Sequence, residues 1–184
     1  MFLVRHRFRN RLVIVAAKPA PGREGAAAKV KTLAELAKPG VKLDVAAAAV
    51  PVGAYTVKML DAMAADPAYG PGFKAAVLAN VVSQEENVKS VVAKVRLGEA
   101  DAGVVYATDA GPETASTLTV IPIPDPFNQT GDYPLARLAK AQQPALATAF
   151  AEFVLSPEGQ ASLAKRGFLP PPAAVAAPTT GPVQ

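Results

Sequence analysis

Apolar residues recur along this chain with two alternating periods. Between Asn87 and Leu97, Val88, Val91, Val92 and Val95 fall at i, i+3, i+4 and i+7, one face of a helix, while Lys89, Lys94 and Arg96 lie off that face. Gly98 follows the last periodic residue, where a helix C-cap glycine belongs. The helix opens at Asn87, or at Ser83 with Glu86 three residues on as a capping box. The next run, AGVVYA from Ala102 to Ala107, is short and wholly apolar, the pattern of a strand buried in a parallel sheet. Upstream, Val41–Val45 reads as a strand, and Val52, Tyr55, Met59, Leu60 and Met63 recur at helical spacing with Pro51 in the first helical position. Helix then strand is half of a βαβ unit. The strand therefore delivers Tyr106 to the sheet edge where helix N-termini gather, which is where α/β sheets bind ligands.

The remaining pattern continues the alternation. Arg11–Ala16 is a strand, and 17–29 a loop containing Pro19, Pro21, Gly22 and Gly25. Thr32 with Glu35 is a capping box for a short helix ending at Gly40. Residues 66–72 are a turn-rich break before a helical turn at Phe73–Leu78. Strands are expected at Asn80–Val82, Leu118–Ile123 and Tyr133–Ala139. Pro144–Leu155 is a helix with Leu146, Phe150, Phe153 and Val154 on one face. Ser156-Pro157-Glu158 then opens a second helix, which Gly167 closes. From Leu169 the Pro/Ala-rich tail LPPPAAVAAPTTGPVQ is expected to be disordered. The fold class is α/β, a parallel or mixed sheet flanked by helices.

Composition narrows the chemistry. The 184 residues, 51% hydrophobic, suffice for one core or one domain with part of another. The net charge of +4 is concentrated in Arg5, Arg7, Arg9 and Arg11; elsewhere bases alternate with acids, so no nucleic-acid stripe is indicated. Zero cysteines exclude a disulfide framework and a thiolate metal site. His6 is the sole histidine, against a Ser-His-Asp triad or a multi-histidine metal centre. GEADAG (98–103) lacks the Lys and Ser/Thr of a phosphate loop. Glu85, Glu86, Glu99 and Asp101 read as a solvated helix surface rather than a catalytic pair. Asp109 is expected to cap the next turn, and Tyr55 and Tyr133 to pack. Arginines followed by the six-residue run Leu12–Ala17 superficially resemble a leader, but so short a run reads better as a core strand. No stretch approaches the ~20 apolar residues of a membrane span. No base or nucleophile stands out, so the chain reads as a binding module rather than an enzyme.

The candidate chemistry is anion binding. The backbone N–H groups of Val52 and Gly53, and those at the start of the helix that follows Asn87, have no intrahelical partners. Such helix starts attract anions, the dipole alone giving roughly 0.3–1 kcal/mol. Gly53 adds no side chain to hinder a ligand. A strand-end tyrosine can equally be a packing residue.

VPVGAY (50–55), ENVKSVVAKVRLGEADAGVVYATDA (86–110), FRNRLVIVA (8–16) and LAELAKPGVKL (33–43) together resemble the periplasmic molybdate-binding proteins of ABC transporters, over about Phe8 to Leu169. The resemblance implies a type II periplasmic-binding-protein-like lobe. It also implies molybdate or tungstate held by hydrogen bonds alone, with no cofactor and no metal ligated directly. The family's donors map to the backbone N–H of Val52, the backbone N–H of Val88 and the hydroxyl of Tyr106. Further family donors are serines in a first lobe, and this chain begins after that region, so roughly the N-terminal third is absent. The implied organisation is a basic segment at 1–10, the second lobe at 11–136, the C-terminal part of the first lobe at 137–168 and a tail at 169–184. The implied partner is a membrane ABC permease, with no nucleic acid, at a periplasmic or extracytoplasmic location. Helices at 144–166 without most of their strands would leave Leu146, Phe150, Phe153, Val154 and Leu163 exposed, inviting self-association. A different oxyanion such as sulfate or phosphate, a regulatory effector-binding domain, and a truncated non-functional fragment are the alternatives.

Overall fold

The computed structural model describes residues 6–19 and 29–170. Arg5, most of the loop expected at 17–29 and the tail beyond Pro170 lie outside those residues. The strands are β1 (His6–Ala17), β2 (Leu43–Ala46), β3 (Val81–Glu85), β4 (Ala102–Tyr106), β5 (Leu118–Pro122) and β6 (Thr130–Leu135). The α-helices are α1 (Pro51–Ala65), α2 (Phe73–Ala79), α3 (Val88–Leu97), α4 (Pro144–Leu155) and α5 (Pro157–Ala164). Contacts divide the chain into two compact units, Asn10–Gly131 on the one hand and Met1–Arg9 with Asp132–Gln184 on the other.

The first of these units is built on a mixed sheet in the order β3-β2-β4-β1-β5. β2 runs parallel to β3 and to β4, whereas β1 is antiparallel to β4 and β5. β4 is thus parallel on one side only, and the sheet is mixed. β1 lies between two strands, so Leu12 to Ala17 are buried without alternation, the run expected of an interior strand. Its strand assignment begins earlier than expected, at His6.

Helix α3 follows the valine pattern: Val91, Val92 and Val95 are buried, Asn87 accepts the Ser90 N–H at 3.0 Å, and Gly98 takes the left-handed conformation at φ 77°. The Ser83 alternative for its start is excluded, because Ser83 lies inside β3. β3 runs on to Glu85 because Asp44, Val45 and Ala46 offer it a parallel ladder. Gly103 of β4 sits under α3, where an added Cβ would lie 2.6 Å from Val91 Cγ1 and 3.1 Å from Val95 Cγ2. Tyr106, three residues further on, falls on the opposite face of the strand.

Three local expectations are corrected. Glu85 and Asp101 are not a solvated helix surface. Glu85 belongs to β3 and accepts from Lys94 Nζ at 2.6 Å and Ser83 Oγ at 2.5 Å. Asp101 is 5% exposed and accepts the Lys42 N–H at 2.8 Å and the Lys29 ammonium at 3.1 Å, tying the entry of β4 to that of β2. The strand expected at Tyr133–Ala139 lies at Thr130–Leu135, and that at Val41–Val45 at Leu43–Ala46.

In the second unit, Ser156 ends α4 and caps α5, its Oγ accepting the Gly159 N–H at 3.2 Å. The Leu169 N–H donates to the Arg9 carbonyl at 2.8 Å, and Tyr133 meets Phe168 edge-on at 5.8 Å. Leu146, Phe150 and Phe153 are 63%, 59% and 49% exposed, while Val154 and Leu163 are half-buried.

Candidate functional site

The strand directions bring the expected donors to one edge. Because β2, β3 and β4 are mutually parallel, their C-terminal ends open on the same side of the sheet. α1 starts after the end of β2, α3 starts three residues after β3, and Tyr106 is the last residue of β4. β2 is flanked by β3 and β4, so the chain reverses its direction of winding there, the crevice geometry in which open α/β sheets place ligands. All three expected residues lie in the unit Asn10–Gly131.

Val52 is the second residue of α1, 1% exposed, and its side chain is core. The N-cap, Val50, has no side-chain acceptor to offer, so no cap competes for the first-turn N–H groups. Gly53 has a packing reason beyond ligand access. A Cβ there would collide with the carbonyl oxygens of Ala46 and Ala47, so the helix start can approach the end of β2 only with glycine at this position. Val88 is the first residue of α3, half-buried. Its cap, Asn87, satisfies Ser90, two residues further in, and leaves the Val88 N–H at the open end.

Tyr106 is half-buried, its ring on the α1 side. A Cβ on Gly131 would lie 3.5 Å from Tyr106 Cε1, 3.6 Å from its hydroxyl and 3.5 Å from Tyr55 Cε2, so Gly131 lies against both rings. Tyr55 is therefore a wall beside Tyr106 and also lies 5.9 Å from the Lys58 ammonium. Asp109 caps its own turn and not the next: Asp109 Oδ2 accepts the Tyr106 N–H at 3.3 Å across the 3-10 turn Ala107–Asp109. Burial pushes the Asp109 carboxyl above its ordinary value, against the lowering effects of that N–H and of Lys89. A groove of about 380 Å³ lies alongside, lined by Lys89, Arg96, Thr108, Asp109 and Glu113 among others. Val52, Val88 and Tyr106 are not in its lining. Among the described residues no cluster of three or more His, Asp or Glu could hold a metal ion.

Three polar groups, two of them buried and the third, Asn128, half-buried, were not foreseen from sequence. Asn10 is 1% exposed and donates to Thr108 Oγ1 at 2.7 Å. Asn128 bonds both the N–H and the carbonyl of Leu12. Asp44 lies fully buried in β2. The one available signal was their position: Asn10 and Asp44 each interrupt or border an apolar run, where a polar residue needs a partner.

The chain matches the family described as bacterial extracellular solute-binding protein over residues 4–169. The molybdate-binding protein ModA of Mycobacterium tuberculosis is 33% identical over 162 residues, covering 88% of this chain and 55% of the relative. The chain therefore spans about half the length of the curated relatives it matches. The substrate-binding domain of a putative molybdenum ABC transporter from Clostridium difficile superposes with a TM-score of 0.67 at 25% identity, over 89% of this chain and 64% of that one. The sulfate-binding protein SubI of Mycobacterium tuberculosis gives 0.68 at 18% identity, over 90% and 57%, a likeness of fold. The mixed sheet with its covering helices is the expected periplasmic-binding-protein-like architecture. On the match over 4–169, the chain belongs to the bacterial extracellular solute-binding proteins.

Proposed function

We propose that this chain carries the oxyanion-holding half of a molybdate- or tungstate-binding protein that serves an ABC permease at the outer face of the membrane. The observation that carries the reading is the convergence of two helix N-termini and one tyrosine at the carboxyl edge of three parallel strands. The backbone N–H groups of Val52 and Val88 and the hydroxyl of Tyr106 are its donors. All three are neutral. Neutral donors suit a fully deprotonated tetrahedral dianion and penalise a protonated anion, whose O–H would face another donor. The names of the Mycobacterium tuberculosis and Clostridium difficile relatives support molybdenum oxyanions over other ligands. The reading assigns the chain no catalytic step, no cofactor and no directly ligated metal.

The test is an amide-resolved NMR titration of the chain with molybdate, tungstate, sulfate and phosphate. Saturable shifts at Val52, Gly53 and Val88, reached at lower concentration with molybdate and tungstate than with sulfate, are expected. Equal or stronger response to sulfate or phosphate overturns the molybdenum assignment. No localised shift with any of the four overturns the oxyanion site.

A further inference from the structure

The backbone ladder between β1 and β4 closes at the pair Leu12↔Tyr106. Two positions further out the same antiparallel register sets Asn10 opposite Thr108, and there side chains take over the link. Asn10 Nδ2 donates to Thr108 Oγ1 at 2.7 Å, while Asn10 Oδ1 accepts the Arg11 N–H at 3.0 Å. Both ends of this buried amide are engaged, so its orientation is fixed. On the other side of β1, Asn128 fills a gap in the ladder. Its Oδ1 accepts the Leu12 N–H at 2.9 Å, and its Nδ2 donates to the carbonyls of Leu12 at 2.9 Å and Ile123 at 3.1 Å. Leu12, the residue opposite Tyr106, is thereby held from its outer side as well.

Thr108 is the middle residue of the 3-10 turn Ala107–Asp109 that begins immediately after Tyr106. That turn is fastened at two points: Asp109 returns to the Tyr106 N–H, and Asn10 holds the Thr108 hydroxyl. A phenol is the far end of a long, stiff side chain. A small backbone shift where Tyr106 joins the turn becomes a larger displacement of the hydroxyl, and hydrogen bonds weaken steeply with distance and angle.

We infer that Asn10 is a positioning residue for Tyr106, acting through the Thr108 hydroxyl to fix where the phenol stands at the sheet edge. Asn10 touches no ligand in this assignment. The inference rests on the reading of Tyr106 as an oxyanion donor. Its structural half, the control of the Tyr106 ring by Asn10 and Thr108, has a readout that needs no anion.

The experiment compares Thr108→Val, Thr108→Ser, Asn10→Ala and the double variant Asn10→Ala/Thr108→Val. Valine has the shape of threonine without its hydroxyl, whereas serine keeps the acceptor. The ring resonances of Tyr106, identified by their loss in Tyr106→Phe, are followed without ligand. Those of Tyr69, which packs on Phe73 and Phe127 at 4.7 and 5.5 Å, serve as the control. Thr108→Val and Asn10→Ala are expected to shift the Tyr106 signals alone and to weaken molybdate binding by roughly three- to tenfold. Thr108→Ser should restore both, and the double variant should be no worse than the worse single one. Unmoved Tyr106 resonances in Thr108→Val overturn the inference even if Asn10→Ala fails to fold. So does an affinity loss in Thr108→Ser equal to that in Thr108→Val. Wild-type protein that ignores molybdate, with Tyr106 signals that still respond to Thr108→Val, is the separate signature of a wrong ligand assignment, and it removes Asn10's role in binding while leaving its hold on the ring.

Discussion

Asp44 stands opposite Gly103 in the parallel pairing of β2 with β4, and neither of its fully buried carboxylate oxygens meets a hydrogen-bond partner of good geometry. Burial raises its pKa from 3.8 to about 6; the nearby Glu85 adds to the rise, and Lys94 opposes it. An acid whose folded-state pKa lies above its unfolded value binds its proton more tightly when folded. Its ionisation therefore costs stability, from the unfolded value upward, until it is complete just above the folded one. Asp44 should make the fold less stable as pH rises from about 4 to about 6, with no further loss above, by an amount on the order of 3 kcal/mol. Asp44→Asn should abolish that slope and be the more stable protein at pH 7.5. Chemical denaturation at pH 4.5 and 7.5 measures it, the difference between variant and wild type removing the opposite contribution of Glu85, whose pKa is lowered by Lys94. A constant difference across the two pH values would show that Asp44 titrates as if in water.

Gly53 links the core to the site. Any side chain there meets the carbonyls of Ala46 and Ala47, which are backbone and cannot swing away. Gly53→Ala should destabilise the protein by about 2 kcal/mol, in the range of overpacking penalties. It should also displace the first turn of α1. Thermal melting and the Val52 amide shift should therefore move together. A variant that melts normally would mean that the β2–α1 junction yields.

The contrast between Gly53 and Asp101 shows what local pattern can and cannot reveal. The order of strands and helices, the caps at Asn87 and Ser156 and the glycine stop at Gly98 depend on neighbours within a turn, so spacing alone discloses them. Convergence at the sheet edge then follows from strand direction, and the family motifs identify which backbone groups sit there. Asp101 read as solvated because its partners, the N–H of Lys42 and the ammonium of Lys29, lie 59 and 72 positions away. Asn10 with Thr108, and Asn128 with Leu12, escaped notice for the same reason, at separations of 98 and 116. Asp44 escaped because nothing in its surrounding sequence separates a carboxylate buried without a partner from one at a surface.

The outer face of α4 offers Leu146, Phe150 and Phe153 to solvent. Burying such side chains gains about 25 cal/mol per Å² of apolar surface, so copies of the chain gain by covering the face with one another. Sedimentation at increasing concentration should show association in the wild type and a more nearly monomeric Leu146→Gln/Phe150→Gln variant. Melting of the unit Asn10–Gly131, which does not include these residues, should not move. A wild type monomeric throughout would leave the face without a self-pairing role.

Tyr106 provides the most direct test of the site. Its ring packs beside Tyr55 and Gly131, contacts that phenylalanine preserves, while the hydroxyl is the part assigned to the anion. A charge-assisted hydrogen bond to a dianion is worth roughly 1.5–3 kcal/mol. Tyr106→Phe should therefore lower molybdate affinity by about tenfold or more. The melting temperature without ligand should fall by less than the loss in affinity implies, because the ring contacts and the backbone bond from Tyr106 to Asp109 both remain. Calorimetry or the amide titration supplies the affinity, and melting in the absence of anion supplies the control. Unchanged affinity would return Tyr106 to a packing role and leave the two helix starts as the only donors of this chain. An affinity loss matched by a fall in melting temperature would instead locate the effect in the fold.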